Sequence, residues 1–413
     1  MYSDHGEVQP QMGISYTGDK GPMFSLMLKT GLLTLVTFGI YRFWQKTRVR
    51  KYIWSSVNAG GDTFEYTGTG MEKFLGFLVA IVFLAVYLGI IQMVLFYLGL
   101  NVFVDPDTAS QEQIIAQVAA IYISIFAVMP FILFAVYRAR RYKMARTRYR
   151  GIRLGMEKGA WGYVLRAIGY GLLSMATLGI LAPLMTFRLE KYMTDRSYYG
   201  TTRLRQDGKW TDLYSAMKHV FIALGILILS GIMIAVGVSQ DSAGLGILGG
   251  ISMFVGYVWF FIGAIYYQVR AFGYLMSHKV LGDDVRFTSG PRTGTVIKTY
   301  ILGGLLWSLL SSVVFGIVFA LAMPLIFMAE NTTDPNMVTV GLLVALIAVG
   351  YLVGIVVMQA LSMILITQPI LAHYIQTITI VNPEGLDRVH QREALTGIDA
   401  DGFADALDIG GAI

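Results

Sequence analysis

From Phe74 to Leu100 the chain runs FLGFLVAIVFLAVYLGIIQMVLFYLGL without one charged side chain. About 20 predominantly apolar residues carry a helix across the hydrocarbon of a bilayer, so this run marks a crossing helix. Five more stretches qualify: Ile114–Tyr137, Val220–Val238, Leu245–Tyr267, Tyr300–Met328 and Val338–Ile370. Composition agrees, with 14% charged residues where a soluble domain carries about 25%. The polar start, Met1–Gln11, has no apolar core of the signal-peptide kind, so insertion through the chain's own helices is expected. The absence of cysteine removes disulfide and thiolate chemistry.

Two shorter apolar segments decide the topology. Phe24–Ile40 and Trp161–Phe187 are interrupted by Gly and Thr and carry Lys29 and Arg166. The loops 101–113, 239–244 and 329–337 contain no Lys or Arg, whereas the basic segments 42–51, 138–158, 187–218 and 268–298 all lie outside them. Basic loops stay in the cytoplasm. If both short segments crossed fully, making eight spans, Lys191–Lys218 would face the opposite side from Arg138–Lys158. The rule holds if both are hairpins that turn at Thr-Phe-Gly and Thr-Leu-Gly. Six spans then put every basic loop and both termini in the cytoplasm. Irregular backbone at membrane depth is tolerated only inside protein or beside a wet cavity, so the hairpins are expected to pack against the spans.

The chain also resembles itself. At an offset of 140, GLLTLVTFGI faces GLLSMATLGI, and Arg48, Lys51, Tyr52 and Gly60 face Arg188, Lys191, Tyr192 and Gly200. At an offset of 90, Arg48, Arg50, Tyr52 and Gly61 face Arg138, Arg140, Tyr142 and Gly151. Short β-prone runs recur at 14–18, 63–67, 151–154, 202–205, 285–288 and 377–381, and on one side of a membrane these predict a small cytosolic sheet. The expected fold is therefore an all-α polytopic membrane protein with six transmembrane helices and two re-entrant or interfacial helical hairpins. Internal repeats and short cytosolic strands complete it. The segments are a mobile 1–13, repeat units 14–62, 63–151, 152–200, 201–282 and 283–381, and an acidic cytosolic tail, 382–413.

The run FGIYRFWQKTRVRKYIWSS, followed by GGDTFEYTGTG, is similar to the YjgN-like proteins, a bacterial inner-membrane family classified as a domain of unknown function. The resemblance covers about Ile14 to Ile380. It implies a polytopic protein of the cytoplasmic membrane and supplies no catalytic residues; the tail beyond Asn382 lies outside it.

Chemistry is sparse. Arg138–Arg150 holds seven cations in thirteen residues. It reads first as a positive-inside topology signal with interfacial tyrosines. Its functional reading is contact with anionic headgroups by Arg48, Arg50, Tyr52, Arg138, Arg140, Tyr142, Arg188 and Tyr192. The clear spans contain no Asp or Glu, so a carboxylate proton relay has no parts. Gln92, Gln117 and Gln359 are their main polar residues; with Lys29 and Arg166, Gln92 and Gln359 are candidates for a cavity or substrate path. The plainer reading of the two cations is snorkelling to the interface. The histidines (His5, His219, His278, His373, His390) lack metal spacing, and no phosphate loop or nucleophile elbow is present, so neither an enzyme nor a cofactor is expected. The expectation is transport-like passage of a small or amphipathic molecule, with a lipid-binding or membrane-organising scaffold as the alternative. The bilayer, anionic lipid and a homo-oligomer are the expected partners; nucleic acid is not.

Overall fold

The structure, a computed structural model, describes residues 10–104, 109–331 and 337–392. Strand, helix, helix, strand is the order of the chain, five times over. The first set is β1 (Gln11–Tyr16), α1 (Lys20–Val36), α2 (Arg42–Ser55) and β2 (Val57–Ala59). The second is β3 (Asp62–Tyr66), α3 (Gly70–Tyr97), α4 (Gln111–Ala145) and β4 (Thr147–Tyr149). The third is β5 (Ile152–Met156), α5 (Ala160–Ala176), α6 (Ala182–Thr194) and β6 (Ser197–Tyr199). In the fourth, β7 (Thr202–Gln206) leads through a 3-10 turn into α7 (Tyr214–Ser239), α8 (Ala243–Ser277) and β8 (Lys279–Leu281). The fifth is β9 (Val285–Ser289), α9 (Thr293–Asn331), α10 (Met337–Ser362), a π turn (Met363–Thr367), α11 (Gln368–Gln376) and β10 (Ile378–Val381). Among the described residues, six helices are long and apolar enough to cross a membrane, and α1, α2, α5 and α6 are not among them. The polar start, the tail beyond 392 and the loop residues Asp105, Asp107 and Asp334 lie outside the described residues.

The strands correct the expectation of a helical protein with a small sheet. They form a closed antiparallel barrel of ten, in the order β1-β10-β9-β8-β7-β6-β5-β4-β3-β2. Odd strands run into the helices and even strands return from them, while turns of two or three residues join each even strand to the next odd one. The even strands β2, β4, β6 and β8 are three residues long, too short to show alternation in sequence. Their turns were the available signal. Gly60 (φ 60°) with Gly61 (φ 93°), and Arg150 (φ 48°) with Gly151 (φ 73°), have the paired positive φ of two-residue hairpins. An open sheet of such short strands would leave two unpaired edges, and closure removes both.

By its contacts the described chain divides into two compact units, residues 10–63 with 206–388 and residues 64–205 with 389–392. In the second unit, one ladder face pairs Phe64 with Tyr149, Leu154 with Tyr199 and Met156 with Ser197. The Phe64 and Tyr149 rings stack at 4.7 Å. The opposite face pairs Glu65 with Arg148, Arg148 with Arg153, and Tyr198 with Arg203. Alternation thus separates an apolar face from a charged one.

The two short helix pairs reverse where the glycines predict. Thr37 Oγ1 donates to the Leu33 carbonyl at 2.7 Å and accepts from the Tyr41 amide at 2.9 Å. Thr177 does the same with Leu173 and Leu181, at 3.0 and 3.2 Å. Phe38 (φ 49°) and Gly39 (φ 90°) match Leu178 (φ 51°) and Gly179 (φ 85°). Within their own units α1 packs against α10 and α5 against α4. Among the described elements, α7 and α8 share the most extensive contact. Ala216, Ala223, Ser230 and Gly237 are buried at seven-residue spacing on α7, and Gly249, Gly256 and Gly263 on α8. Side chains this small let two backbones approach without hydrophobic driving force from water.

Candidate functional site

One bond recurs where each helix pair meets its strands. Five residues before each returning strand stands Tyr52, Tyr142, Tyr192, Tyr274 or His373. Tyr52 donates to the Asp19 carbonyl at 2.9 Å, Tyr142 to Glu72 Oε2 at 2.8 Å, Tyr192 to the Gly159 carbonyl at 2.9 Å and Tyr274 to the Lys209 carbonyl at 2.9 Å. His373 reverses the direction: its Nε2 accepts the Arg292 amide at 2.9 Å. Each bond ties the end of the returning helix to the start of the leading one. A backbone bond reinforces four of these junctions, from the amides of Thr17, Thr67, Glu157 and Asp207 to the carbonyls of Ser56, Arg146, Arg196 and His278. Burial pushes the Tyr52 hydroxyl above the ordinary phenol range, which keeps it a donor. Three of the tyrosines read from sequence as lipid contacts are thus engaged within the protein.

At the junction of the second unit a cavity of about 330 Å³ opens, lined by Phe134, Tyr137, Arg138, Arg141, Lys158 and the segment from Gly159 to Gly162. Its position follows from the sequence of α4: the uncharged run ends at Tyr137, and Arg138 begins the basic run. Arg138 lies 5.9 Å from the Phe134 ring centre, and Phe134 packs on Trp161 at 5.2 Å. Arg141 Nε donates to the Met156 carbonyl at 3.0 Å, and Tyr137 donates to the Glu157 carbonyl at 2.7 Å. These bonds fix the cationic wall. The floor is the start of α5, whose first amides have no acceptor inside the helix. Glycine suits this start: a Cβ on Gly162 would stand 2.3 Å from the Tyr192 hydroxyl and one on Gly159 2.9 Å from it, so a larger residue would displace the hydroxyl from its bond to the Gly159 carbonyl. Three cations, a helix start and two aromatic rings at the end of an apolar run suit a phosphate-bearing headgroup.

The other residues singled out from sequence are dispersed. Arg140 forms a two-pronged ion pair with Glu190 at 2.6 and 2.9 Å, so its charge is answered within the protein. Arg166 Nη1 donates to the Gly162 carbonyl at 2.9 Å, and its guanidinium lies 4.6 Å from the Tyr192 ring centre. Gln92 donates to Ser124 Oγ at 2.8 Å, and Gln117 to the Val102 carbonyl at 2.9 Å. Lys29, Arg188 and Gln359 are exposed, and Arg48 is exposed beside Tyr41. Arg50 is 4% exposed. Sequence reading named Arg138 but missed Arg141, Lys158 and Trp161 as its companions. Their signal was the joining of a basic helix end to a Gly-Ala-Trp-Gly helix start.

The family model described as "Bacterial protein of unknown function (DUF898)" matches residues 11–307. "Inner membrane protein YjgN" of Salmonella typhimurium (strain LT2) is 32% identical over 77 residues, 19% of this chain and 20% of that protein. "Inner membrane protein YjgN" of Escherichia coli O157:H7 is 24% identical over 170 residues, 39% of this chain and 37% of that protein. The chain therefore spans about a fifth and somewhat over a third of these two relatives. No solved structure matches. With six apolar helices of crossing length among the described residues, the relatives make this an integral, multi-pass protein of the inner membrane. The chain is YjgN-like and belongs to the bacterial family of unknown function DUF898.

Proposed function

We propose that this protein is a non-catalytic, lipid-binding element of the inner membrane, with the barrel and both chain ends on the cytoplasmic side. The observation that carries the reading is the cavity where Arg138, Arg141 and Lys158 face the start of α5 beside Trp161. Acidic phospholipid is the ligand whose charge and depth fit that position. The pairs α1–α2 and α5–α6 are re-entrant hairpins of a fivefold internal repeat. A helix of 17 residues is about 25 Å long, short of the roughly 30 Å hydrocarbon. Phe38 and Leu178, 98% and 80% exposed at the turns, are apolar tips suited to lipid.

The transport reading rests on Lys29 and Arg166, with Gln92 and Gln359, lining a path. Lys29 is exposed on α1, and Arg166 is bonded within α5 and stacked on Tyr192, so lipid binding is the better-supported reading. Native mass spectrometry of protein released from phosphatidylglycerol-containing bilayers tests it. Wild type should retain phosphatidylglycerol over phosphatidylethanolamine, and Arg138→Gln with Lys158→Gln should weaken that retention roughly tenfold or more, at about 1 kcal/mol per cation. Equal retention by the double variant would remove the site.

A further inference from the structure

In the first unit, Lys218 on α7 and Arg270 on α8 converge on one ring. Lys218 Nζ is 5.2 Å and the Arg270 guanidinium carbon 5.6 Å from the centre of Tyr266. Both cations are exposed, and neither has a carboxylate partner among the described residues. Two like charges gathered over one ring repel each other, and a bound anion would relieve that repulsion. The surroundings identify the depth. Trp210, Tyr214 and Phe221 follow one another in ring contact at 5.8 and 6.4 Å along the start of α7, an aromatic column of the kind that sits at headgroup level. His219 meets the Tyr266 ring edge-on at 4.6 Å and lies 5.9 Å from Trp259. His219 Nδ1 and Trp259 Nε1 are buried without a hydrogen-bond partner among the described residues. This seam therefore holds more polar capacity than its own side chains use.

We infer that Lys218, Arg270 and Tyr266 form a second anion site, built for the phosphate of an acidic phospholipid. It is independent of the cavity beside Trp161, because no residue is shared. The full-length protein in nanodiscs of phosphatidylcholine with graded phosphatidylglycerol supplies the test, by native mass spectrometry and by Trp quenching with brominated lipid. Lys218→Gln with Arg270→Gln should remove one class of bound phosphatidylglycerol and weaken it by roughly tenfold to thirtyfold, while Arg138→Gln with Lys158→Gln leaves that class intact. Tyr266→Phe, which keeps the fold of the ring contacts, should weaken the same class less. Unchanged lipid binding in the Lys218/Arg270 variant overturns the inference, whatever the Arg138/Lys158 variant does. Displacement of the lipid by millimolar inorganic phosphate would also overturn it, by assigning the site to a free anion.

Discussion

A tyrosine and a histidine stand in equivalent places and do chemically different things. Tyr274 both donates to the Lys209 carbonyl and accepts the Lys209 amide, at 2.9 and 2.7 Å. His373 only accepts, through Nε2, from the Arg292 amide. An imidazole nitrogen that accepts cannot also donate, whereas a phenol oxygen does both at once. The neighbours of His373 in ring contact are Tyr374 and, through that ring, Phe272. Removing the acceptor in His373→Ala should therefore lower hydrogen-exchange protection at the Arg292 amide and leave the Tyr274 junction unchanged. His373→Tyr should restore that protection, since Tyr274 shows that a hydroxyl can accept at this place. Unchanged protection in His373→Ala would refute the account. These residues were visible in the sequence as Tyr52, Tyr142 and Tyr192. Their partners were not, because a tyrosine at a helix end looks alike whether it faces headgroups or a helix start 33 or 70 residues away.

Elements were legible in proportion to their length. The six long helices follow from uninterrupted apolar runs, and the short hairpins from Thr-Phe-Gly and Thr-Leu-Gly. Only one strand of each β2–β3 or β4–β5 pair was legible, because three residues carry no periodicity. The close packing of α7 on α8 was written in small residues seven apart, yet such spacing has no meaning until the two faces are known to meet. A Cβ on Gly237 would stand 2.7 Å from the Gly246 amide nitrogen, and backbone cannot step aside as a flexible side chain can. Gly237→Val should force the pair apart and cost about 1–3 kcal/mol, read as a lowered melting temperature in detergent. Gly225→Val, on the same helix with open space around its position, is the control that should melt near wild type.

At the scale of the molecule, the strand pattern and the charge pattern make one claim about sidedness. Every helix pair starts from and returns to the barrel, and the basic segments lie at those returns. The natural chain has no cysteine, so single cysteines report without background. Asp283→Cys in the β8–β9 turn should be labelled only from the cytoplasm, and Gln240→Cys between α7 and α8 only from the periplasm. Phe38→Cys should resist a water-soluble reagent from both sides. Its labelling from the periplasm would mean that α1 and α2 cross completely.

The ring has a seam, and the seam sets an order of assembly. β1 is paired on one side to β2 and on the other to β10, so the first strand synthesised keeps an open edge until the last emerges. The membrane helices must therefore be in place before the barrel can close around its final strand. A chain cut between β9 and β10 lacks the strand that pairs with both β1 and β9. It makes a sheet with two raw edges, the form that quality control is built to find.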